Sequence, residues 1–480
     1  MKKAMTNWRW WICLLLFVAT TVNYMDRQVL SLTWKDYIAP EFHWTDSDYG
    51  IITGFFSIFY AAVGLFAGRF VDWMGTKKGF LWAIGVWSLG ACMHAGCGWA
   101  TMMIEDIESI EALKALETGS TAALAVASVS VWLFLACRAV LALGEAGNFP
   151  AAIKTTAEYF PKKDRALATS LFNAGSSVGA LAAPLTIPIL ASKFGWEMAF
   201  IIIGALGFIW MFFWIYMYDK PHASKHVNEA ELEYILQDEA AEKQEAEKAA
   251  AKEEKVIPFL KCFTYKQTWS FITGKFFTDG VWWFYLFWAP AYFSEMGKSM
   301  QTTEGKMLVF VLYLIVTIVS IFGGYLPKLF VEKKGMEPYA GRMRAMLIFA
   351  FFPLLALFAQ PLQGYSIWFP AIIIGLAGAG HQAWSANIFS TIGDMFPKST
   401  IATITGIGTM AGGIGSTLIN MGAGKLFDYA AEQGEAFTFF GFAGKPAGYM
   451  IIFCICAVAY IIAWSIMKTL VPKHKPIVVD

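Results

Sequence analysis

The stretch WWICLLLFVATTVNYMDRQVLSL, residues 10–32, decides the fold. From Trp10 to Val22 it is almost wholly apolar; Asn23, Tyr24, Met25, Asp26 and Arg27 then interrupt it, and Val29-Leu30 resume it. An apolar run of about 20 residues spans a bilayer as a helix, and this one carries an acid and a base within it. Charges at such depth cost about 2.5–3.5 kcal/mol each on insertion scales. Asp26 and Arg27 are therefore expected to be paired and to face the protein interior. The alternative, that they flank the membrane surface, conflicts with the apolar residues that follow. No small-residue cleavage site comes after the run, so it reads as a retained membrane helix and not as a leader.

Eleven further runs of spanning length follow, at 50–72, 79–101, 123–157, 165–191, 197–218, 267–293, 304–331, 343–360, 365–395, 401–426 and 447–469. Six lie before a polar gap and six after it. The 480 residues are 57% hydrophobic and only 15% charged, a balance unlike that of a soluble domain. With 37 basic and 36 acidic residues, the chain is no polybasic nucleic-acid binder. The runs are too long for barrel strands, so an all-α polytopic membrane protein with 12 transmembrane helices is expected.

Basic residues orient the set. Lys2, Lys3 and Arg9, then Arg69, Lys77 and Lys78, then Lys162, Lys163 and Arg165 mark alternate connections, as do Lys333, Lys334, Arg342, Arg344, Lys398, Lys468, Lys473 and Lys475. The intervening loops hold mostly single lysines such as Lys35, Lys193, Lys298 and Lys445, so both termini are expected to be cytoplasmic. The gap from Asp219 to Lys255 holds 17 of the 73 charged residues and reads as a solvated linker. Asn228 followed by Glu231 looks like a helix cap with its acidic partner, and Glu239 with Lys243 is a favourable pair one turn apart. The expected division is an N-terminal bundle over 1–218, a cytoplasmic linker over 219–266 and a C-terminal bundle over 267–480. A polar insertion at 103–119 falls on the external side. The seven cysteines read as small buried apolar residues.

The halves resemble each other. Glu158-Tyr-Phe-Pro161 and Asp394-Met-Phe-Pro397 are 236 residues apart, and the same offset pairs Gly179 with Gly415 and Gly144-Glu145 with Gly380-His381. Weak symmetry between six-helix halves is the mark of transporters with a midplane site between two bundles.

The charged residues inside the runs carry the chemistry. Arg138 and Glu145 are seven residues apart, two helical turns along nearly one face. A buried carboxyl that can exchange a guanidinium partner for a proton suits proton coupling. Lys275, Asp279, Trp282, Trp283, Tyr285 and Trp288 fall in one run of the second half; His381, Gln382, Trp384, Ser385 and Asn387 fall in another. A hydroxyl-rich ligand wants amide, hydroxyl and aromatic partners, and its carboxylate wants Arg or Lys. No nucleophile and base, metal cluster or phosphate-cradling loop lies at a sensible depth, so neither a membrane enzyme nor a metal site is expected.

Gly68-Arg-Phe-Val-Asp72-Trp-Met-Gly75-Thr-Lys-Lys78 resembles the cytoplasmic loop signature of the major facilitator superfamily, with Trp73 where a basic residue is usual. A carboxylate there can latch one state by meeting a helix N-terminus, and Gly68, Asp72 and Gly75 are the expected gating loop. The second-half counterpart, Gly324 to Gly335, has Lys328 in place of the aspartate. Asn23 to Arg27, Glu158-Tyr-Phe-Pro-Lys-Lys-Asp-Arg165, Thr278 to Trp288 and His381 to Asn387 together resemble the anion:cation symporter family of that superfamily, and most closely its hexuronate transporters. Gly280 and Ala383 depart from that family's usual proline and glycine.

The resemblance implies the major facilitator fold, two pseudo-symmetric six-helix bundles, and a proton-coupled symporter that imports galacturonate or glucuronate across a bacterial cytoplasmic membrane. Galactonate or another organic anion is the alternative substrate. It implies no cofactor beyond the coupling proton. The expected partners are a sugar-acid anion and the lipid bilayer, with no nucleic acid, and the chain is expected to act as a monomer. Asp26, Glu145 and Arg138 are the implied proton-coupling residues. Tyr24, Arg27, Tyr60, Ser176, Lys275, Trp283, Tyr285, His381, Gln382, Trp384, Ser385 and Asn387 are the implied substrate-binding residues.

Overall fold

The computed structural model describes residues 5–237 and 257–477. Its spanning segments are α1 (Trp8–Thr33), α2 (Asp46–Met74), α3 (Thr76–His94, continued by Cys97–Ile104), α4 (Thr121–Glu145, continued by Asn148–Tyr159), α5 (Lys162–Phe194) and α6 (Trp196–Met217). The second set is α7 (Lys266–Glu295), α8 (Thr303–Ser320, continued by Phe322–Lys334), α9 (Pro338–Ala350, reaching Gln363 through a 3₁₀ turn), α10 (Trp368–Met395), α11 (Lys398–Gln433) and α12 (Lys445–Leu470). Segments α2, α4, α5, α6, α8, α9 and α12 are each long and apolar enough to cross a bilayer alone, and the bent α3 makes an eighth. The remaining four, α1, α7, α10 and α11, carry polar or glycine-rich motifs inside their apolar runs.

Four runs read as continuous helices are broken, the run 304–331 by the single residue Ile321. The run 79–101 bends by 52° between His94 and Cys97. The run 123–157 stops at Glu145 and restarts at Asn148, so Glu145 closes a helical segment instead of sitting inside one. In the run 343–360, Pro353 opens a 3₁₀ turn, Pro353–Phe358, because proline has no N–H for the α-helical ladder. Between α11 and α12 lies a hairpin that sequence reading misses. Thr438–Phe439 pairs antiparallel with Phe442–Ala443 across Phe440 and Gly441, both at positive φ (50° and 82°) as a two-residue turn requires.

The internal repeat has a physical meaning. Pro161 and Pro397 precede the first turns of α5 and α11, where a missing N–H costs nothing. A Cβ at Gly179 would lie 2.4 Å from the Thr21 carbonyl oxygen, and one at Gly415 would lie 2.0 Å from that of Phe276. Bare glycine thus lets α5 lie against α1, and α11 against α7, at backbone contact distance. Across the bundles, α2 packs along α11 and α5 along α8.

One end of the bundle interface is closed by charge. Lys35 lies 3.1 Å from Asp46 and 2.5 Å from Glu295, and Lys445 lies 2.6 Å from each of the same two carboxylates. Asp428 accepts the N–H groups of Asp46 (2.9 Å) and Ser47 (2.8 Å) at the start of α2. Asp36 accepts the Ser294 hydroxyl (2.9 Å) and the Met300 N–H (2.7 Å). Lys35 and Lys445, read from the sequence as single loop lysines, are partners in this seal. It lies at the end away from the termini.

The first part of the linker docks on the start of α1 through one acid, while many of its other side chains are exposed. Asn228 caps the short helix Glu229–Ile235 through the Glu231 N–H (2.9 Å), as expected. Glu231 does not return the cap. It is fully buried and accepts the N–H groups of Trp8 (2.9 Å) and Arg9 (3.1 Å), the Arg9 guanidinium (3.0 Å) and the Thr6 hydroxyl. A carboxylate at the first turn of α1 satisfies N–H groups that the helix leaves unpaired. The expected Glu239–Lys243 pair lies outside the described residues.

Candidate functional site

Helical spacing sets the first wall. In α1, Asn23 and Asp26 lie three residues apart on one side, and Tyr24 and Arg27 on the next. Arg27 reaches α4: its Nε (3.0 Å) and Nη2 (2.8 Å) both donate to Oε2 of Glu145. Both side chains are buried. The guanidinium is walled by three rings, with Tyr24, Tyr60 and Trp283 centroids at 5.3, 4.8 and 5.2 Å. Planar guanidinium stacks on such faces while its edge bonds a carboxylate. Trp283 comes from α7, so the cage joins both bundles.

Behind this pair lies a buried polar nest. Both oxygens of Asp26, both polar atoms of Asn23 and Asn148, Glu145 Oε1 and Arg138 Nη1 have no hydrogen-bond partner among the described residues. Arg138 lies over the Phe56 ring at 5.2 Å. Buried polar groups are nearly always partnered, so a concentration of exceptions sets this nest apart from ordinary packing. Four ionisable groups, Asp26, Arg27, Arg138 and Glu145, are gathered there, and of these Arg27 and Glu145 are paired with each other.

In front of the pair lies a cavity of about 560 Å³ between the bundles, on the terminus side of the charged seal. That size suits a small-molecule site. Tyr24, Asn173, Ser176 and Ser177 line it from the first bundle, and Trp282, Tyr313, Thr317, Ser320, Gln382, Ser385 and Phe389 from the second. The walls offer hydroxyls and amides without a formal charge. Tyr313 presents a buried hydroxyl with no partner among the described residues.

The expected binding residues separate into layers. Tyr24, Ser176, Gln382 and Ser385 line the cavity, while Arg27, Tyr60 and Trp283 form the cage beside it. Lys275 is bound to Asp279 at 2.7 Å and lies 4.6 Å from the Phe389 centroid, so it touches the cavity's lining but does not itself line it. His381 stacks on Trp282 (5.3 Å, 5°) and bonds the Tyr460 hydroxyl (2.7 Å), one layer back. Trp384 packs edge-on to Tyr460, and Asn387 donates to the carbonyls of Gly323 (2.9 Å) and Ala383 (2.8 Å), joining α10 to α8. The Tyr285 side chain is buried beside Cys456, away from the cavity.

Asp72 lies at the end of α2 and pairs with Lys154 (2.7 Å) in the second piece of α4, meeting a side chain and not a helix N-terminus. The carboxylate at a helix start is Glu158, which accepts the Thr76 hydroxyl (2.6 Å) at the first residue of α3 and the Tyr218 hydroxyl. Gly75, at φ +78°, makes the turn between α2 and α3.

Sequence reasoning missed Asn173, Ser177, Tyr313, Thr317 and Ser320. A signal was present: Asn173, Ser176, Ser177 and Ala180 stand at i, i+3, i+4 and i+7, and Tyr313, Val316, Thr317 and Ser320 repeat that spacing in α8. Each is one small or polar stripe on an otherwise apolar helix.

The sequence profile of the Major Facilitator Superfamily matches residues 16–419. The chain is 28% identical over 427 residues to the hexuronate transporter of Escherichia coli (strain K12), covering 88% of each. It is 28% identical over 323 residues to the galacturonate transporter of Dickeya chrysanthemi, covering 67% of this chain and 82% of that one. Among solved structures, a bacterial homolog to the human lysosomal transporter Spinster, inward-facing and occupied, aligns with a TM-score of 0.64 at 18% identity, covering 96% and 97% of the two chains.

Proposed function

Because the chain belongs to the Major Facilitator Superfamily, we propose that it carries a sugar-acid anion, specifically a hexuronate such as galacturonate or glucuronate, across the bacterial cytoplasmic membrane together with protons. The observation that carries this reading is the buried Arg27–Glu145 pair, set beside a cavity walled by hydroxyls and amides. A uronate has one carboxylate and a ring of hydroxyls; the Arg27 guanidinium suits the first and the cavity walls suit the second. The relatives named as hexuronate and galacturonate transporters support the same substrate class.

The cycle follows from partner exchange. Protonation of Glu145 ends its claim on Arg27, whose two donors then take the substrate carboxylate. The rings of Tyr24, Tyr60 and Trp283 hold the guanidinium in place during the exchange. Asp26 and Arg138, in the adjoining nest, share the charge that the exchange displaces. When the substrate leaves, Glu145 gives up its proton and recovers Arg27. Alternating access is the rocking of the 1–218 and 267–480 bundles about the site, with the linker 219–266 between them. With both termini in the cytoplasm, the charged seal closes the external side and the cavity belongs to an inward-directed state.

Uptake of galacturonate into proteoliposomes under an imposed pH gradient tests the reading. Accumulation that depends on the gradient, with galactonate competing more weakly, is expected. Uptake indifferent to the gradient would overturn proton coupling, and preference for galactonate would overturn the uronate assignment.

A further inference from the structure

At the terminus-bearing end of the second bundle, away from the transport cavity, the C-terminal segment folds back against the start of α7. It is pinned along its length. The Tyr339 hydroxyl donates to the Val471 carbonyl (2.8 Å), Gln267 to that of Lys475 (2.8 Å), and the Ile477 N–H to that of Met395 (2.8 Å). His474 is held by Glu337 at 2.9 Å. The pinned backbone leaves Lys473 and Lys475 exposed, and with Lys266 they line an open pocket of about 800 Å³. None of the three has a carboxylate within ion-pair distance among the described residues.

Beside this pocket lies an apolar apron. The short helix Phe259–Cys262 exposes Phe259 (55%) and Leu260 (80%), and Trp269 on the first turn of α7 is 48% exposed with its indole N–H on the Phe263 carbonyl (2.8 Å). A half-exposed indole beside exposed Phe and Leu, at the end of a spanning helix, is the composition of a membrane interface. A basic pocket at that level meets phosphate headgroups.

We propose that this pocket binds the headgroup of an anionic phospholipid, phosphatidylglycerol in type, whose acyl chains lie over Phe259, Leu260 and Trp269. The lysines supply the attraction for the phosphate, and the apron selects a lipid over a free anion. The pinned C-terminal segment holds Lys473 and Lys475 in place for it.

The test uses the full-length protein, delipidated and returned to micelles with phosphatidylglycerol, phosphatidylcholine or inorganic phosphate. Phosphatidylglycerol is expected to raise the melting temperature above its value in phosphatidylcholine, and phosphate is expected not to. Each lysine contributes about fivefold in affinity, so the variant Lys266→Gln/Lys473→Gln/Lys475→Gln binds phosphatidylglycerol about a hundredfold more weakly. It melts like the parent in phosphatidylcholine, and the matching triple arginine variant keeps the lipid effect. Equal stabilisation by both lipids, or an undiminished effect in the glutamine variant, overturns the proposal. A phosphate effect equal to that of the lipid overturns it in favour of a free-anion pocket. If the glutamine variant melts low in phosphatidylcholine too, lipid retention by the parent in native mass spectrometry decides: a preference for phosphatidylglycerol supports the site, and no preference overturns it.

Discussion

Nε and Nη2 of Arg27 converge on a single oxygen of Glu145, at 3.0 and 2.8 Å, while the other oxygen is buried without a partner among the described residues. The pair is strong on one edge and unfinished on the other. Three aromatic rings fix the guanidinium, so it can change carboxylates without changing place. Arg27→Lys keeps the charge but loses the two-pronged donor and the stacking. With each lost contact worth about 0.5–2 kcal/mol, galacturonate uptake is expected to fall at least about tenfold in a protein that still folds. Uptake within twofold of the parent would detach Arg27 from substrate binding.

Lys35 and Lys445 each bind both Asp46 and Glu295, two carboxylates from opposite bundles. Removing one acid leaves the lysines sharing the other, so Asp46→Asn should loosen this end. Ser416, which bonds Ser57 (2.8 Å) across the bundles, is a reporter behind the seal. With native cysteines replaced, a cysteine at 416 is expected to react with a maleimide several times faster when Asp46→Asn is added. An unchanged rate would show that the charges do not hold the bundles together.

Two glycines of α11 make opposite predictions. A Cβ at Gly415 would meet the Phe276 carbonyl oxygen at 2.0 Å, whereas one at Gly422 meets nothing within 4 Å. Overpacking costs about 1–3 kcal/mol, so Gly415→Ala should lower the melting temperature markedly. Gly422→Ala should leave it unchanged or raise it, since alanine is favoured over glycine in a helix by up to about 1 kcal/mol. Equal effects would refute the backbone contact of α11 with α7.

Glu231 ties the linker to the start of α1. Glu231→Ala strands a buried guanidinium and two N–H groups, at a cost of about 1–3 kcal/mol. Protease cleavage of the linker is expected to quicken several-fold in this variant and less in Glu231→Gln. No change would mean that the buried carboxylate does not restrain the linker.

Much of this was legible in the sequence because a bilayer leaves few choices. Twelve runs, the 236-residue repeat and the charges in α1 and α4 follow from apolar length and the cost of burying an ion. What pairs with what was not legible. Glu145 shares a helix face with Arg138, yet its partner is Arg27 on another helix, because packing of α1 on the break in α4 decides it. Lys275, expected among the substrate-binding residues, is instead bound to Asp279 one turn on. His381 and Asn387 sit in a motif beside Gln382 and Ser385, but successive helical residues face different ways, so only two of the four line the cavity. Glu231 reads as a cap partner in a solvated stretch because nothing in a run of charges marks an acid that docks on another helix.

The central claim, that Glu145 is the exchangeable partner of Arg27 and couples transport to protons, is tested most directly by Glu145→Gln in proteoliposomes. The account predicts that galacturonate counterflow at symmetric pH survives while accumulation driven by an imposed pH gradient is lost. Gradient-driven accumulation at the parent rate would contradict it.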